Sequence, residues 1–544
     1  MERTELSDHP AGPGPTSRGG LRARRGRIIA NVLVICLVTT VASSLALLAA
    51  VHIDDRYLVS AGFVEDGVEG GNSSVWMALA RSADRGVLYP PLFDGEHWGG
   101  TRYAPLPMVL WGGVARFTGE YLIAGKVVAY VLGTLLLSLT VATIRHISRS
   151  WTCALLLTAT IVVTVPGVVG LLSTPRGDTQ ALLLQLAAVA LIARRPSRGS
   201  SVAAGALCAF AVASKVSGLW GPLAIVTWMV FRDRRHLPAF LVSLIGVLTT
   251  VILAVNALSN GRMVSNIGAT LLADTGSRLI SLLPFVQFVG DTAQATAVLV
   301  PIAVVSVILA GSRRELTVYD LSLMWAVIVL LGVLADGGAQ SNHLIDFVVL
   351  TPLVTAELWS RDGTGAQAIP PTAAIIAVAA VWGIVMSYGV NLVPDVRSAA
   401  SMTVGGADGP AYPVDPLAGQ VDRTDEVLSE DPYIALSIGK HPTVLDPWIF
   451  AALSRERPRW ASQLARRVQR AEFDKIVLAQ RLETTSATYW DTRFGRAVLA
   501  AVCANYTYST MMNGYWVYEP AKDGEDLASA DTKGPNNCRA LVQG

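Results

Sequence analysis

Apolar stretches alternate with short polar gaps along most of this chain, at about 28–51, 121–144, 151–172, 179–193, 200–214, 217–231, 237–257, 293–311, 317–335, 343–358 and 371–390. A helix needs roughly 20 apolar residues to cross the hydrocarbon layer. The pattern therefore predicts a polytopic α-helical membrane protein with about eleven transmembrane helices. Several stretches are short, and the two flanking Ser214 to Ser217 could form one broken helix. Both must cross, however, for the basic gaps to share a side: Arg22, Arg24, Arg25 and Arg27, then Arg145 and Arg149, Arg194, Arg195 and Arg198, Arg232, Arg234 and Arg235, and Arg313 and Arg314. Basic loops stay cytoplasmic. The N-terminus is then cytoplasmic, and the C-terminal region lies outside.

Two segments break the hairpin rhythm. The first outer loop, 52–120, is long and half apolar. Within it Val75 to Leu88 has apolar positions at helical spacing and predicts a helix lying on the membrane surface. Met108 to Phe117 reads as a second helix, entered through the Pro105 and Pro107 turn, and Asn260 to Asp291 as further interfacial helix. After Asn391 hydropathy drops. The β-like runs Glu426 to Ser429, Lys475 to Leu478 and Tyr515 to Tyr518 alternate there with helical patterns at Ala461 to Phe473 and Phe494 to Ala504. Three regions result: a disordered cytoplasmic tail at 1–27, a membrane domain at 28–391, and an extracytoplasmic soluble α/β domain at 392–544.

Composition supports that class. In a chain of 544 residues with 52% hydrophobic and 15% charged residues, one water-soluble core cannot hide the apolar surface. The net charge of +2 is carried in short loops that set orientation, so nucleic acid is not an expected partner. Cys36, Cys153 and Cys208 lie in apolar stretches and read as small buried hydrophobes. Cys503 and Cys538 lie in the polar tail, where a disulfide can form if that compartment is oxidising.

Polar groups with chemical potential gather at the outer ends of the spans. The first loop carries Glu65, Asp66 and Glu69, followed by Tyr89 and Tyr103. A carboxylate at the mouth of an apolar cavity gains basicity and suits a general base, although acids in an outer loop are often merely solvated. Ser173-Thr174-Pro175-Arg176-Gly177-Asp178 joins two spans, where Arg176 and Asp178 could simply pair or cap. Lys215 sits between apolar segments, where an unpaired ammonium is costly and a phosphate would suit it, unless it snorkels to headgroups. Asn342, His343 and Asp346 form another outer segment, with spacing that lets Asp346 orient the imidazole of His343. The same pair could hold a metal, but two ligands make no site. No Walker lysine loop, dinucleotide fingerprint or nucleophile elbow is present.

Together these phrases resemble the GT-C superfamily of integral-membrane glycosyltransferases, in particular its family 39-like, polyprenyl-phosphate-sugar dependent bacterial members. The matching order is a single span, a long acidic loop with amphipathic helices, Gly86-Val87-Leu88-Tyr89-Pro90, Tyr103-Ala104-Pro105-Leu106, the Arg176 to Asp178 turn, Ser214-Lys215, and Asn342 to Asp346. The tail is similar to that of actinobacterial relatives through Val427 to Pro432, Val444-Leu445-Asp446-Pro447, Phe473 to Leu478, and Asn505-Tyr506 leading to Tyr515-Trp516-Val517-Tyr518. The resemblance implies a hexosyl- or pentosyltransferase with an inverting mechanism in the plasma membrane, acting in cell-envelope glycan synthesis. Its implied partners are membrane lipids, a polyprenyl-phosphate sugar donor, and a glycan, lipid or protein acceptor. It requires no cofactor; a divalent metal is possible but unsupported. Glu69 falls nearest the position of the base. The chain departs from the family pattern in offering Glu65 and Asp66 as well, and in placing Asp54 and Asp55 where many relatives have a tight Asp-Glu pair. Arg176 and Lys215 would cradle the donor phosphate, with Asp178, Asn342, His343, Asp346, Tyr89 and Tyr103 lining the pocket. The rival readings are a polytopic transporter, for which Lys215 and Asp178 would mark a path, and a membrane-anchored sensor or scaffold.

Overall fold

The computed structural model describes residues 71–119, 121–164, 174–274, 316–334, 341–361, 421–483, 485, 487–512, 515–521 and 538. Both expected domain boundaries, after 27 and after 391, lie outside them, as do the apolar stretches at 28–51, 293–311 and 371–390.

Eight of the expected apolar stretches appear as helices. They are α3 (Tyr121–Ser148), α4 (Trp151–Thr164), α5 (Gly177–Arg194), α6 (Arg198–Ser214), α7 (Trp220–Arg232), α8 (Leu237–Leu258), α10 (Val318–Leu334) and α11 (Ile345–Arg361). The chain breaks at Lys215 to Leu219, so α6 and α7 are separate helices. By length and composition, two helices among the described residues suffice to cross a bilayer, Ala124–Ser148 and Leu237–Leu258. The outward faces are apolar: Phe231, Val242, Ile245, Leu253 and Leu258 are each at least 60% exposed. Water would penalise such a surface, whereas hydrocarbon does not. Inward, Leu182, Leu186, Val189, Trp220, Ile225, Phe240, Leu323, Val348 and Leu353 make one fully enclosed core. A reciprocal cap between Ser197 and Ser200 starts α6 directly after the end of α5. The two helices run antiparallel, bringing the start of α5 beside the end of α6.

Helices α1 (Gly71–Asp84) and α2 (Pro105–Thr118) occupy the first loop where the sequence pattern predicts them. The apolar stripe of α1, expected to lie on the membrane surface, packs instead against protein. Val75, Trp76, Met77, Ala78, Leu79 and Ala80 are all at most 5% exposed. Gly112 of α2 permits the close packing, because a Cβ there would stand 2.6 Å from the Ala80 carbonyl oxygen. The opposite side of α1 is covered by α12 (Pro432–Ser437), with Arg81 donating from Nη1 to the Leu436 carbonyl at 2.9 Å. Periodicity exposed an apolar stripe without showing that two separate elements would cover it.

The C-terminal part forms a four-stranded sheet in the order β1 (Val427–Ser429), β2 (Lys475–Leu478), β4 (Tyr515–Pro520) and β3 (Tyr506–Met512). Strands β1 and β2 are parallel; β4 is antiparallel to both β2 and β3. Strand β3 was not expected from the sequence. Side chains alternate faces along each strand. Ile476, Leu478 and Tyr518 pack on Leu464, Val468, Val498 and Val502, while Val427, Val477 and Val517 pack on Ile434 and Ile438. The helices involved are α14 (Pro458–Gln469), α16 (Arg496–Asn505) and α12; α13 (Pro447–Glu456) and α15 (Ala487–Thr492) complete the domain. Cys503 and Cys538 form a disulfide with Cα atoms 5.6 Å apart.

The first loop enters this domain. Trp98, 1% exposed, sits in the domain's core, and its backbone donates to the Thr443 carbonyl at 2.8 Å and accepts from Leu445 at 2.9 Å. Helix α9 (Arg262–Asp274) is fastened to the same loop by Asn266, whose side chain accepts from the Thr101 amide at 3.1 Å and donates to the Pro90 carbonyl at 3.2 Å.

Candidate active site

The start of α5 and the end of α6 create the centre of the site. Gly177 is required there, since a Cβ would lie 2.3 Å from the Ser214 carbonyl oxygen. That approach places Asp178, in the first turn of α5, beside Lys215, which caps the end of α6. A carboxylate favours the positive end of a helix and an ammonium the negative end, so both dipoles assist the pair. The Lys215 ammonium donates to Oδ1 of Asp178, and the side chains remain 19% and 11% exposed, within reach of water or a ligand.

A third segment closes on this pair. Residues Ser341–Leu344 form a 3-10 turn leading into α11. Asn342 donates from Nδ2 to the same Oδ1 of Asp178 at 2.8 Å, and Nδ1 of His343 lies 3.1 Å from Nζ of Lys215. As an ammonium Lys215 can only donate, so Nδ1 accepts and neutral His343 keeps its proton on Nε2. Two of the three ammonium donors are thereby directed at Asp178 and His343, leaving one for an anionic ligand. No hydrogen bond joins His343 to Asp346 among the described residues, contrary to the orienting pair expected from their spacing. The imidazole is oriented from α6, because the 3-10 turn ends between the two residues and Lys215 occupies Nδ1. Asp346 is half-buried in the first turn of α11, close enough for the charges of Lys215 and Asp178 to act on it.

Arg176, 3% exposed, precedes α5 in extended backbone, φ −137° and ψ 154°, and its charge acts on both Asp178 and Tyr103. Tyr103 covers the site from the first loop, its ring centre 4.3 Å from that of Trp76 and the planes tilted by 35°. Desolvation drives its phenol well above the ordinary value; Asp446 pushes the same way, and Arg102 and Arg176 oppose. It is therefore a neutral donor and not a base. Tyr89 is fully buried below, donating to the Tyr103 carbonyl at 2.8 Å. Its role is to brace Tyr103, not to line the pocket.

The residue-by-residue expectation missed Arg102 and Trp448. The Arg102 guanidinium lies 4.5 Å from the Trp448 ring centre, and its charge acts on His343, Tyr103 and Asp446. Asp446 is taken up in capping α13, accepting from the Trp448 and Ile449 amides at 3.0 Å. The adjacency of Arg102 to Tyr103 was the one available signal for it. Glu65, Asp66 and Glu69 lie outside the described residues. Among the described residues, no group of three His, Cys, Asp or Glu side chains is placed to hold a metal ion.

No protein-family model and no curated protein matches this chain. Solved structures do. ArnT from Cupriavidus metallidurans bound to undecaprenyl phosphate is similar over 90% of this chain and 98% of that one, with 11% identity and a TM-score of 0.55. The apo state of the same protein gives 91% and 98% coverage, 12% identity and a TM-score of 0.51. At these identities the likeness concerns the fold. The chain shares its fold with ArnT.

Proposed function

We propose that this protein is a glycosyltransferase that moves a sugar from a polyprenyl-phosphate donor to an extracytoplasmic acceptor hydroxyl, in cell-envelope glycan synthesis. The observation that carries this reading is the convergence of Asp178, Lys215, Asn342 and His343 from three separated segments around one ammonium with a donor to spare. Arg176 and Arg102 add positive charge to the same rim. The undecaprenyl phosphate bound by ArnT of similar fold supports a lipid-borne phosphate as the ligand. In this reading the active-site end of the bundle faces outward and the C-terminal domain is extracytoplasmic.

Lys215 and Arg176 hold the donor phosphate by charge-assisted hydrogen bonds, Lys215 being kept in place by Asp178. Tyr103 and His343 donate to sugar or phosphate oxygens. Glu69, two residues before α1 in the chain, takes the proton of the acceptor hydroxyl. The acceptor oxygen forms its bond to the anomeric carbon as the bond to the phosphate oxygen breaks, and polyprenyl phosphate leaves with the electron pair. Attack opposite the leaving group inverts the anomeric configuration. The chemistry needs no nucleotide.

The test is purified protein in lipid, given a labelled polyprenyl-phosphate sugar. Release of label to an acceptor or to water is expected, while Glu69→Gln binds donor and does not turn over. Wild-type turnover by that variant removes Glu69 as the base. An absence of transfer by the wild type across pentosyl and hexosyl donors overturns the reading.

A further inference from the structure

Two surfaces outside the transfer site lie side by side. The first is the outward edge of α9. Val264 and Leu271, seven residues apart and so on one helical face, are 57% and 52% exposed, while Met263, Asn266, Thr270 and Ala273 on the opposite side are buried. The helix follows directly from α8, whose end residue Leu258 is 69% exposed. An apolar edge continuous with a membrane-crossing helix fits a position in the interfacial plane.

The second surface is a ridge of arginines on α13 and α14. Between 455 and 470 stand Arg455, Arg457, Arg459, Arg466, Arg467 and Arg470, with Glu456 the sole acid. Arg459, Ser462 and Arg466 share the exposed face of α14, opposite the buried Leu464, Ala465 and Val468, and exposed Arg470 caps its end. Glu472 pairs with Arg467 at 2.9 Å and with Arg470 at 2.8 Å. Helix stability accounts for Arg466 and Arg467 in the last turn, where the dipole favours cations, but not for Arg459 in the first, where it disfavours them. The two surfaces adjoin: Ala269 and Ala273 of α9 pack with Ile449, Leu453 and Trp448 of α13 and Trp460 of α14.

We propose that the α14 arginine face and the apolar edge of α9 form one docking surface for the anionic phospholipid headgroups of the leaflet on the active-site side. Apolar edge and cationic ridge are the two components of a surface-seated element, and here they belong to different domains. Docking would hold the C-terminal domain at a fixed height above the lipid phosphates and leave its other faces to the acceptor.

The experiment uses the full chain in nanodiscs, with a fluorophore on Ser462→Cys and nitroxide-headgroup lipid as quencher. Discs containing phosphatidylglycerol should quench the probe, and discs of phosphatidylcholine alone should not. High salt should release it, since exposed charges are screened. Arg459→Gln and Arg466→Gln, both at exposed positions, should each lower the docked fraction relative to the undocked about fivefold. A second fluorophore at Leu271→Cys should be quenched by acyl-chain nitroxide in either lipid. Equal quenching of the Ser462 probe in both lipids, or none in either, overturns the proposal. So does shielding of that probe by soluble polyphosphate alone, which would assign the ridge to an anionic acceptor polymer. Sugar transfer is not read in this experiment, so its failure leaves the proposed function standing.

Discussion

Lys215 illustrates how one side chain can be both expensive and useful. An ammonium between apolar segments costs free energy unless paired, and Asp178 and His343 together hold it in one orientation. In the proposed reading the third donor is then aimed without further ordering when a phosphate arrives. Lys215→Gln should lower kcat/KM for a polyprenyl-phosphate sugar on the order of ten- to a hundredfold, the worth of a hydrogen bond to a charged group, with the change chiefly in KM. Lys215→Arg should not restore it, because a planar fork cannot reproduce three tetrahedral donors. Initial-rate kinetics of the two variants check this. That Lys215 needs a partner is legible in the sequence, because its apolar flanks make the charge conspicuous. Arg102 had no such flanks, and its approach to Trp448 depends on a contact between segments far apart in the chain.

At the scale of elements, what positions the site is the contact of α5 with α6, and that contact depends on a missing side chain. Gly177→Ala would place a methyl group 2.3 Å from the Ser214 carbonyl oxygen, a backbone atom that cannot rotate away. The helices must separate, carrying Asp178 from Lys215. Overpacking of this kind costs about 1–3 kcal/mol. The expected outcome is a lower melting temperature together with loss of transfer, whereas Gly113→Ala, with open space around it, should change neither. Most helices of the bundle were legible from hydropathy alone, because lipid enforces long apolar segments. The fate of α1 was not: an apolar stripe reads the same whether a membrane or another helix covers it. Strand β3 escaped notice because its run, Tyr506 to Met512, follows α16 without a turn residue between them.

In the whole molecule, the membrane-side helices and the C-terminal sheet are joined through Asp431. This carboxylate is 5% exposed, caps α12 by accepting from the Tyr433 amide at 2.8 Å, receives the Tyr515 hydroxyl from β4, and bonds Ser74 of α1. Its environment is a contest. Desolvation raises the carboxyl above its ordinary value, and the hydrogen bonds from Ser74, Tyr515 and Tyr433 oppose without cancelling it. A group raised in the folded state binds its proton more tightly there than in the unfolded chain. Its contribution to stability is then fully present below the unfolded value, roughly 3.9, and is lost as pH rises through the raised folded value. Asp446 is raised for the same leading reason and adds to the trend. Hydrogen exchange of the β1–β2–β4 amides should therefore slow, after correction for intrinsic rates, as pH is lowered towards the unfolded value. Asp431→Asn keeps an acceptor for the Tyr433 amide and removes the titration, so it should reduce that pH dependence, leaving the part due to Asp446. An unchanged slope in the variant would mean that this junction is not where the proton is taken up.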